Sequence, residues 1–206
     1  MMTNKLEQFY KRWLDKADTY EGSILTHHFD RFTSLYVLYN SLYMVISELR
    51  IQNLGIPKDS ENSSDNNCEE QCDELQVPRF NDYKAATSYV VEYLKADLLI
   101  DGLFNKDDRA QKCLSEICEL LKVKFNIILK WGKAQPTKDA ILLRHLNSDS
   151  NNAKAVAILS LFYYIRCNLF HGHKDFEEVQ RKLLIPVNEL LRKTVEITYK
   201  KLSVSG

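Results

Sequence analysis

The chain has 206 residues, of which 45% are hydrophobic and 27% charged. These proportions are ordinary for a globular protein with a sizeable core, and the length favours a single domain over residues 1–206. Basic and acidic residues are equal in number, 28 of each, so no overall field would draw the chain to nucleic acid or to an anionic membrane. Any contact with RNA or DNA must therefore come from a local patch.

The chain begins MMTNKLEQFYKRW, which lacks the apolar segment of a secretory signal, and no apolar run reaches the length of a membrane span. We therefore expect a cytoplasmic protein without membrane association. Five cysteines, an odd number without an export signal, argue against a disulfide framework. None has the paired spacing of a zinc site, although Cys68 and Cys72 leave a weak metal site as an alternative. We expect free thiols, no metal and no cofactor.

Almost every segment of the chain has the pattern of a helix, and no sustained alternating run indicates a sheet. The sequence thus predicts an all-α fold, an antiparallel bundle of six or seven helices. We expect Gly132 to close the fourth helix, Thr137 to cap the fifth, and Pro186 to kink or split the last. The predicted helices cover about residues 5–20, 29–54, 81–99, 107–130, 136–146, 153–171 and 176–202.

The second helix is rich in tyrosine on its buried face. Such hydroxyls need hydrogen-bond partners or must reach an edge of the core. Asn40, inside the same run, is expected either to form a hydrogen bond in the core or to lie at an interface. The residues that follow the 3.6-residue rhythm are Phe32, Leu35, Tyr36, Tyr39, Tyr43 and Ile46.

Residues 58–78 break the helical pattern. Seven acidic residues and one lysine give this segment a net charge of −6, and it has few large apolar residues. Such a composition is typical of a mobile, solvated acidic loop. A role in keeping anionic ligands away from one face is the alternative.

Residues 153–174 carry the most informative pattern. The run AKAVAILSLFYYI is apolar on nearly all sides, which predicts a helix buried in the bundle. It continues into RCNLFHGHK, so an arginine, an asparagine and a histidine occupy its last turns. Gly172 tolerates the left-handed conformation that ends helices, which would place His171 at or near the C-terminus.

Arg166, Asn168 and His171 are the candidate catalytic residues, because phosphate-loop, dinucleotide-binding, zinc-protease and serine-hydrolase motifs are absent. Histidine transfers protons near neutral pH, a guanidinium binds phosphate and stabilises developing charge, and asparagine can hold a phosphate oxygen. This set suits cleavage of RNA without a metal, using the neighbouring 2′-hydroxyl as the nucleophile. The alternative is structural, since both cations also favour the negative end of the helix dipole.

Helix geometry constrains these roles. Arg166 and His171 are five residues apart, a rotation of about 140°, so they do not share a face of an ideal helix, whereas Asn168 and His171 do. Either the helix ends before His171 and the chain turns it inward, or a second chain completes the site. A two-fold dimer would supply two histidines and two arginines.

The segment YYIRCNLFHGHK resembles the signature of the HEPN superfamily (higher eukaryotes and prokaryotes nucleotide-binding domain), an arginine and a histidine separated by four to six residues. Arg166 and His171 match these two positions, and Asn168 matches a polar residue often found between them. The early stretch RFTSLYVLYNSLY is similar to the first core helix of several bacterial members. Elsewhere the similarity is one of helical architecture only.

The resemblance implies a metal-independent endoribonuclease, active as a homodimer whose site lies at the subunit interface. It implies His171 as general base or acid, Arg166 as the group that stabilises the phosphorane, and Asn168 as a positioning residue. Members are often toxins with an antitoxin partner, or effectors of phage defence. His173 stands where toxins silenced by a nucleotidyltransferase carry a tyrosine, so that form of silencing is not implied.

Four further basic residues follow the motif and are candidates for RNA binding: His173, Lys174, Arg181 and Lys182. They could contact backbone phosphates, but a solvated helix face would explain them equally well. A second hypothesis for the whole chain is a non-catalytic helical module that binds a nucleotide or a partner protein, because some members of the superfamily are not nucleases.

Overall fold

The computed structural model describes residues 4–20, 22, 24–54, 81–105, 107–170 and 180–205. In these residues the all-α prediction is confirmed: the fold is a multi-helix bundle with one very short hairpin. The predicted acidic loop at 58–78 lies outside the described residues, as do His171, His173 and Lys174. The helices are α1 (Asn4–Asp18), α2 (Leu25–Leu54), α3 (from Asp82–Lys84 through Val90–Leu94), α4 (Ala96–Phe104), α5 (Asp108–Lys122), α6 (Pro136–Leu146), α7 (Asn151–Phe170) and α8 (Arg181–Ser205).

Helix α2 lies at the centre of the bundle. The apolar residues of its middle turns are almost completely enclosed, because α1, α3 and α8 pack around it. Helix α8 also packs against α5, and α7 packs against α6, α4 and α3. No helix in the described part of the chain is long and apolar enough to span a membrane.

Helix α3 contains a wider, π-helical turn at Ala85–Tyr89. Its first turn is capped by the side chain of Asn81, which accepts a hydrogen bond from the Lys84 amide at 2.9 Å. The small residues Ala85 and Ala86 are fully buried, and the Tyr39 hydroxyl of α2 donates a hydrogen bond to the Ala86 carbonyl. The wide turn therefore lies where α3 and α2 are in close contact.

One helix was predicted over residues 81–99, but the chain breaks at Lys95, whose φ of 69° lies in the left-handed region. Helices α3 and α4 are therefore separate. The N-cap position before Pro136 is Gln135 rather than Thr137. Pro186 does not split the last helix, since α8 continues through it from Arg181 to Ser205.

The prediction of a helix over 107–130 is wrong at its C-terminal end, because α5 stops at Lys122. The chain then forms a hairpin of β1 (Leu129–Lys130) and β2 (Lys133–Ala134), with Gly132 in its turn at a φ of 71°. The buried carboxylate of Asp139, on α6, accepts hydrogen bonds from the amides of Ile127 and Ile128 at 3.3 and 2.9 Å. These bonds replace the helical partners that the two amides would otherwise need.

The buried tyrosines of α2 predict a loss of stability at alkaline pH. Burial raises the pKa of Tyr36, Tyr39 and Tyr43 above the ordinary value of a phenol. The fold therefore favours neutral phenols, so their stabilising contribution is complete below about pH 10 and is lost as the pH rises further. We expect a lower urea midpoint at about pH 11 than at about pH 8.

The variant Tyr39→Phe is the matched control, because it removes one phenol and keeps the ring. It should be less stable than wild type at neutral pH, having lost the bond to Ala86, but its stability should fall less on going to alkaline pH. Phenolate absorbance from all 11 tyrosines at an unchanged helical circular dichroism signal would contradict the prediction.

Candidate functional site

Arg166 lies in the last two turns of α7, and its side chain is 29% exposed. One guanidinium nitrogen, Nη1, is 3.9 Å from the Asp82 carboxylate of α3 and 3.9 Å from the Cys167 sulfur. The guanidinium carbon lies 6.0 Å from the ring centroid of Tyr36 on α2. The distance to Asp82 is that of a charge–charge contact rather than a short hydrogen bond, so Arg166 is oriented without being enclosed.

Asp82 is held by α2 rather than by Arg166. The Tyr43 hydroxyl lies 2.7 Å from Asp82 Oδ1 and also contacts the side-chain oxygen position of Asn40. A hydroxyl has one proton to donate, and the charged carboxylate is the stronger acceptor. We therefore infer that the Tyr43 hydroxyl donates its proton to the Asp82 carboxylate and that the Asn40 side-chain amide donates to the Tyr43 oxygen. These bonds fix the orientation of the carboxylate that faces Arg166.

The electrostatics of this contact keep Arg166 cationic. Partial burial opposes the charged form, but Cys167, Tyr36 and Asp82 outweigh it, so the pKa of the guanidinium is raised. Burial, with the neighbouring Tyr36 and Asp82, also raises the pKa of Tyr43 and keeps that hydroxyl a donor at neutral pH. The arrangement places a permanent cation beside one carboxylate at the end of α7.

Asn168, the third predicted catalytic residue, is not on the same side of α7. Two residues along a helix correspond to a rotation of about 200°, so Asn168 lies on the opposite side of α7 from Arg166. Asn168 is only 5% exposed, and its side-chain amide donates to the Ile127 carbonyl at 2.5 Å. It lines a cavity of about 20 Å³ with apolar residues, among them Phe125 and Leu169. The structure therefore gives Asn168 a structural contact, one that holds the segment between α5 and β1.

Arg181 and Lys182 start α8, where Arg181 is half-buried and Lys182 is exposed. Lys182 lines a groove of about 610 Å³ between α5 and α8. Glu116 and Glu119 line the same groove, so Lys182 belongs to a surface of mixed charge rather than to a basic patch.

The remaining predicted residues, His171, His173 and Lys174, lie outside the described residues. The described part of α7 ends at Phe170, the residue before His171. Within the described ranges, no group of three or more histidine, cysteine or acidic side chains could hold a metal ion. Cys113 and Cys118 are buried free thiols, and Cys167 is a half-buried free thiol.

Sequence reasoning missed Asp82 and Tyr83 as members of the site. Tyr83 contacts both Tyr163 and Tyr164 of α7, with ring centroids 5.2 and 6.0 Å apart. The only local signal was the cap formed by Asn81, which marks a helix start and says nothing about a contact with α7.

The chain matches no family model, no curated protein and no solved structure, so the site must be interpreted from its own residues.

The different surroundings of Asn168 and Arg166 predict losses of stability of different size on mutation. Asn168→Ala leaves the buried Ile127 carbonyl without its partner and should lower the free energy of unfolding by about 1–3 kcal/mol. Arg166→Ala removes a partly exposed charge contact with Asp82 and should cost less than about 1 kcal/mol. Urea denaturation of both variants checks this, and an unchanged stability of Asn168→Ala would contradict the structural role.

Proposed function

We propose that the chain is a HEPN-type, metal-independent endoribonuclease that cleaves single-stranded RNA. The observation that supports this most is the setting of Arg166: a permanent cation, oriented and partly exposed, near the end of a helix five residues before His171. A cation held in this way is suited to bind a phosphate, because its orientation is fixed before the ligand arrives.

In the proposed reaction, the His171 imidazole removes the proton from a ribose 2′-hydroxyl. The 2′-oxygen then forms a bond to the adjacent phosphorus, and the bond to the 5′-oxygen breaks as a second acid protonates the leaving group. The products are a 2′,3′-cyclic phosphate and a 5′-hydroxyl. Arg166 stabilises the charge that develops on the phosphorane oxygens. Because Asn168 is buried against Ile127, we leave it out of the chemistry.

The second acid is the reason to propose a homodimer. One chain supplies one His171, whereas the reaction needs both a base and an acid. A two-fold arrangement of two chains would supply a second histidine and a second arginine to a composite site. An antitoxin or another regulatory partner, as in toxin and defence systems, belongs to the same proposal.

The setting of Arg166 is also compatible with one alternative function. A guanidinium that already has a carboxylate beside it can serve to bind a nucleotide phosphate without cleaving anything. In that case the chain is a non-catalytic module that binds a nucleotide or a partner protein. Ligand binding would then survive His171→Ala, and no RNA would be cut.

Cleavage of single-stranded RNA in the presence of EDTA tests the enzymatic proposal. We expect wild type to form 2′,3′-cyclic phosphate ends, and His171→Ala and Arg166→Ala to lower the rate by about 10²–10⁴-fold. Arg166→Lys keeps the charge but loses the bidentate fork, so it should rescue only part of the activity.

The matched control is Arg12→Ala, which removes an exposed arginine from α1 and should leave the rate unchanged. A 2′-O-methyl substrate must resist, because it lacks the nucleophile. Equal cleavage by wild type, His171→Ala and Arg166→Ala would refute the enzymatic proposal.

The homodimer is tested separately by light scattering of the purified protein at micromolar concentration. We expect the mass of two chains of 24.1 kDa. Mixing wild type with an excess of His171→Ala should lower the activity per wild-type chain, because a mixed dimer has only one His171 in its composite site. A monomer that retains full activity would rule out the composite site.

A further inference from the structure

Tyr83, Tyr163 and Tyr164 form a continuous aromatic patch on the seam between α3 and α7. Tyr83 lies between the other two rings, at centroid distances of 5.2 and 6.0 Å, and Tyr163 and Tyr164 are 6.2 Å apart. All three side chains are half-buried, so each retains a surface open to solvent. We call this set the tyrosine patch.

The orientation of the Tyr83 ring is fixed by a hydrogen-bond chain. The Ser160 hydroxyl donates to the Val156 carbonyl at 2.7 Å, which uses its only proton. The Tyr83 hydroxyl, 2.8 Å from the same oxygen, must therefore be the donor to Ser160. A ring held in place loses little conformational entropy when a second ring stacks on it.

The tyrosine patch is contiguous with Arg166. Tyr163 precedes Arg166 by three residues and so lies on the same face of α7. Tyr83 directly follows Asp82, whose carboxylate is 3.9 Å from the guanidinium. An aromatic surface and a phosphate-binding cation thus lie side by side on one seam.

We propose that the tyrosine patch binds an unpaired nucleobase of the RNA whose phosphate contacts Arg166; this rests on the proposed function for the phosphate contact. Every nucleobase has a π face, so stacking on tyrosine gives affinity with little sequence preference. Bases in a duplex are already stacked on each other, so the patch selects single-stranded RNA.

Two features of the chain support this assignment. Burial raises the pKa of both Tyr163 and Tyr164, so the phenols stay neutral and add no negative charge near a phosphate. The equal numbers of acidic and basic residues give no long-range attraction for RNA. Stacking would therefore add affinity that does not depend on salt to the local phosphate contact of Arg166.

The test measures binding of the full chain to a non-cleavable 2′-O-methyl oligonucleotide by fluorescence anisotropy, so that catalysis plays no part. We expect Tyr163→Leu and Tyr164→Leu each to weaken binding by about ten-fold or more. Tyr163→Phe keeps the ring and should bind as wild type does. An abasic sugar-phosphate oligomer of equal length should bind weakly to every variant.

The matched control is Tyr199→Leu, which removes a tyrosine that stacks on Tyr10 of α1, outside the patch. It should bind as tightly as wild type, and circular dichroism should show all variants folded. Equal binding of the abasic and base-bearing oligomers, or unchanged binding by folded Tyr163→Leu and Tyr164→Leu, would overturn the proposal.

The same experiment separates this inference from the proposed nuclease. Binding that depends on the tyrosines, in a chain that cuts no RNA, would support the nucleobase site while the nuclease proposal fails. Cleavage of RNA that is indifferent to the tyrosines would support the nuclease and overturn the nucleobase site.

Discussion

The buried hydroxyls of α2 impose the constraint on which the rest of the structure depends. A buried phenol that lacks a hydrogen-bond partner destabilises the fold, so Tyr39 and Tyr43 restrict what can pack against this helix. The buried Tyr36 hydroxyl, by contrast, has no hydrogen-bond partner among the described residues. Tyr39 donates to the Ala86 carbonyl and Tyr43 donates to the Asp82 carboxylate. Both acceptors belong to α3, so the two bonds fix where α3 lies along α2. The position of Asp82 opposite Arg166 follows from this packing.

The packing of α3 against α2 in the core therefore determines the geometry of the candidate site. Arg166 has a carboxylate on one side and the ring of Tyr36 near another, and it keeps part of its surface for a ligand. The carboxylate of Asp82, 3.9 Å from the guanidinium, offsets the cost of a half-buried cation when no ligand is bound.

The sequence predicted the all-helical class and the buried face of α2, because a 3.6-residue rhythm of large apolar residues is a local signal. The helix predicted over 107–130 is wrong after Lys122, because Phe125 and Ile128 continue the helical rhythm although the chain there is not helical. The amide partner that makes this possible is Asp139, eleven residues beyond Ile128, and periodicity does not detect such a contact. The pairing of Tyr43 with Asp82 spans 39 residues and was missed for the same reason.

The different surroundings of Arg166 and Asn168 restrict where His171 would have to lie for the proposed catalysis. The two sides of the last turns of α7 have different partners: Arg166 faces the Asp82 carboxylate, and Asn168 donates to the Ile127 carbonyl. A residue three positions after Asn168 would share its inward face if helical geometry continued. The proposed chemistry therefore requires the chain to leave helical geometry after Phe170, so that His171 and Arg166 face one substrate within a chain or across a two-fold axis.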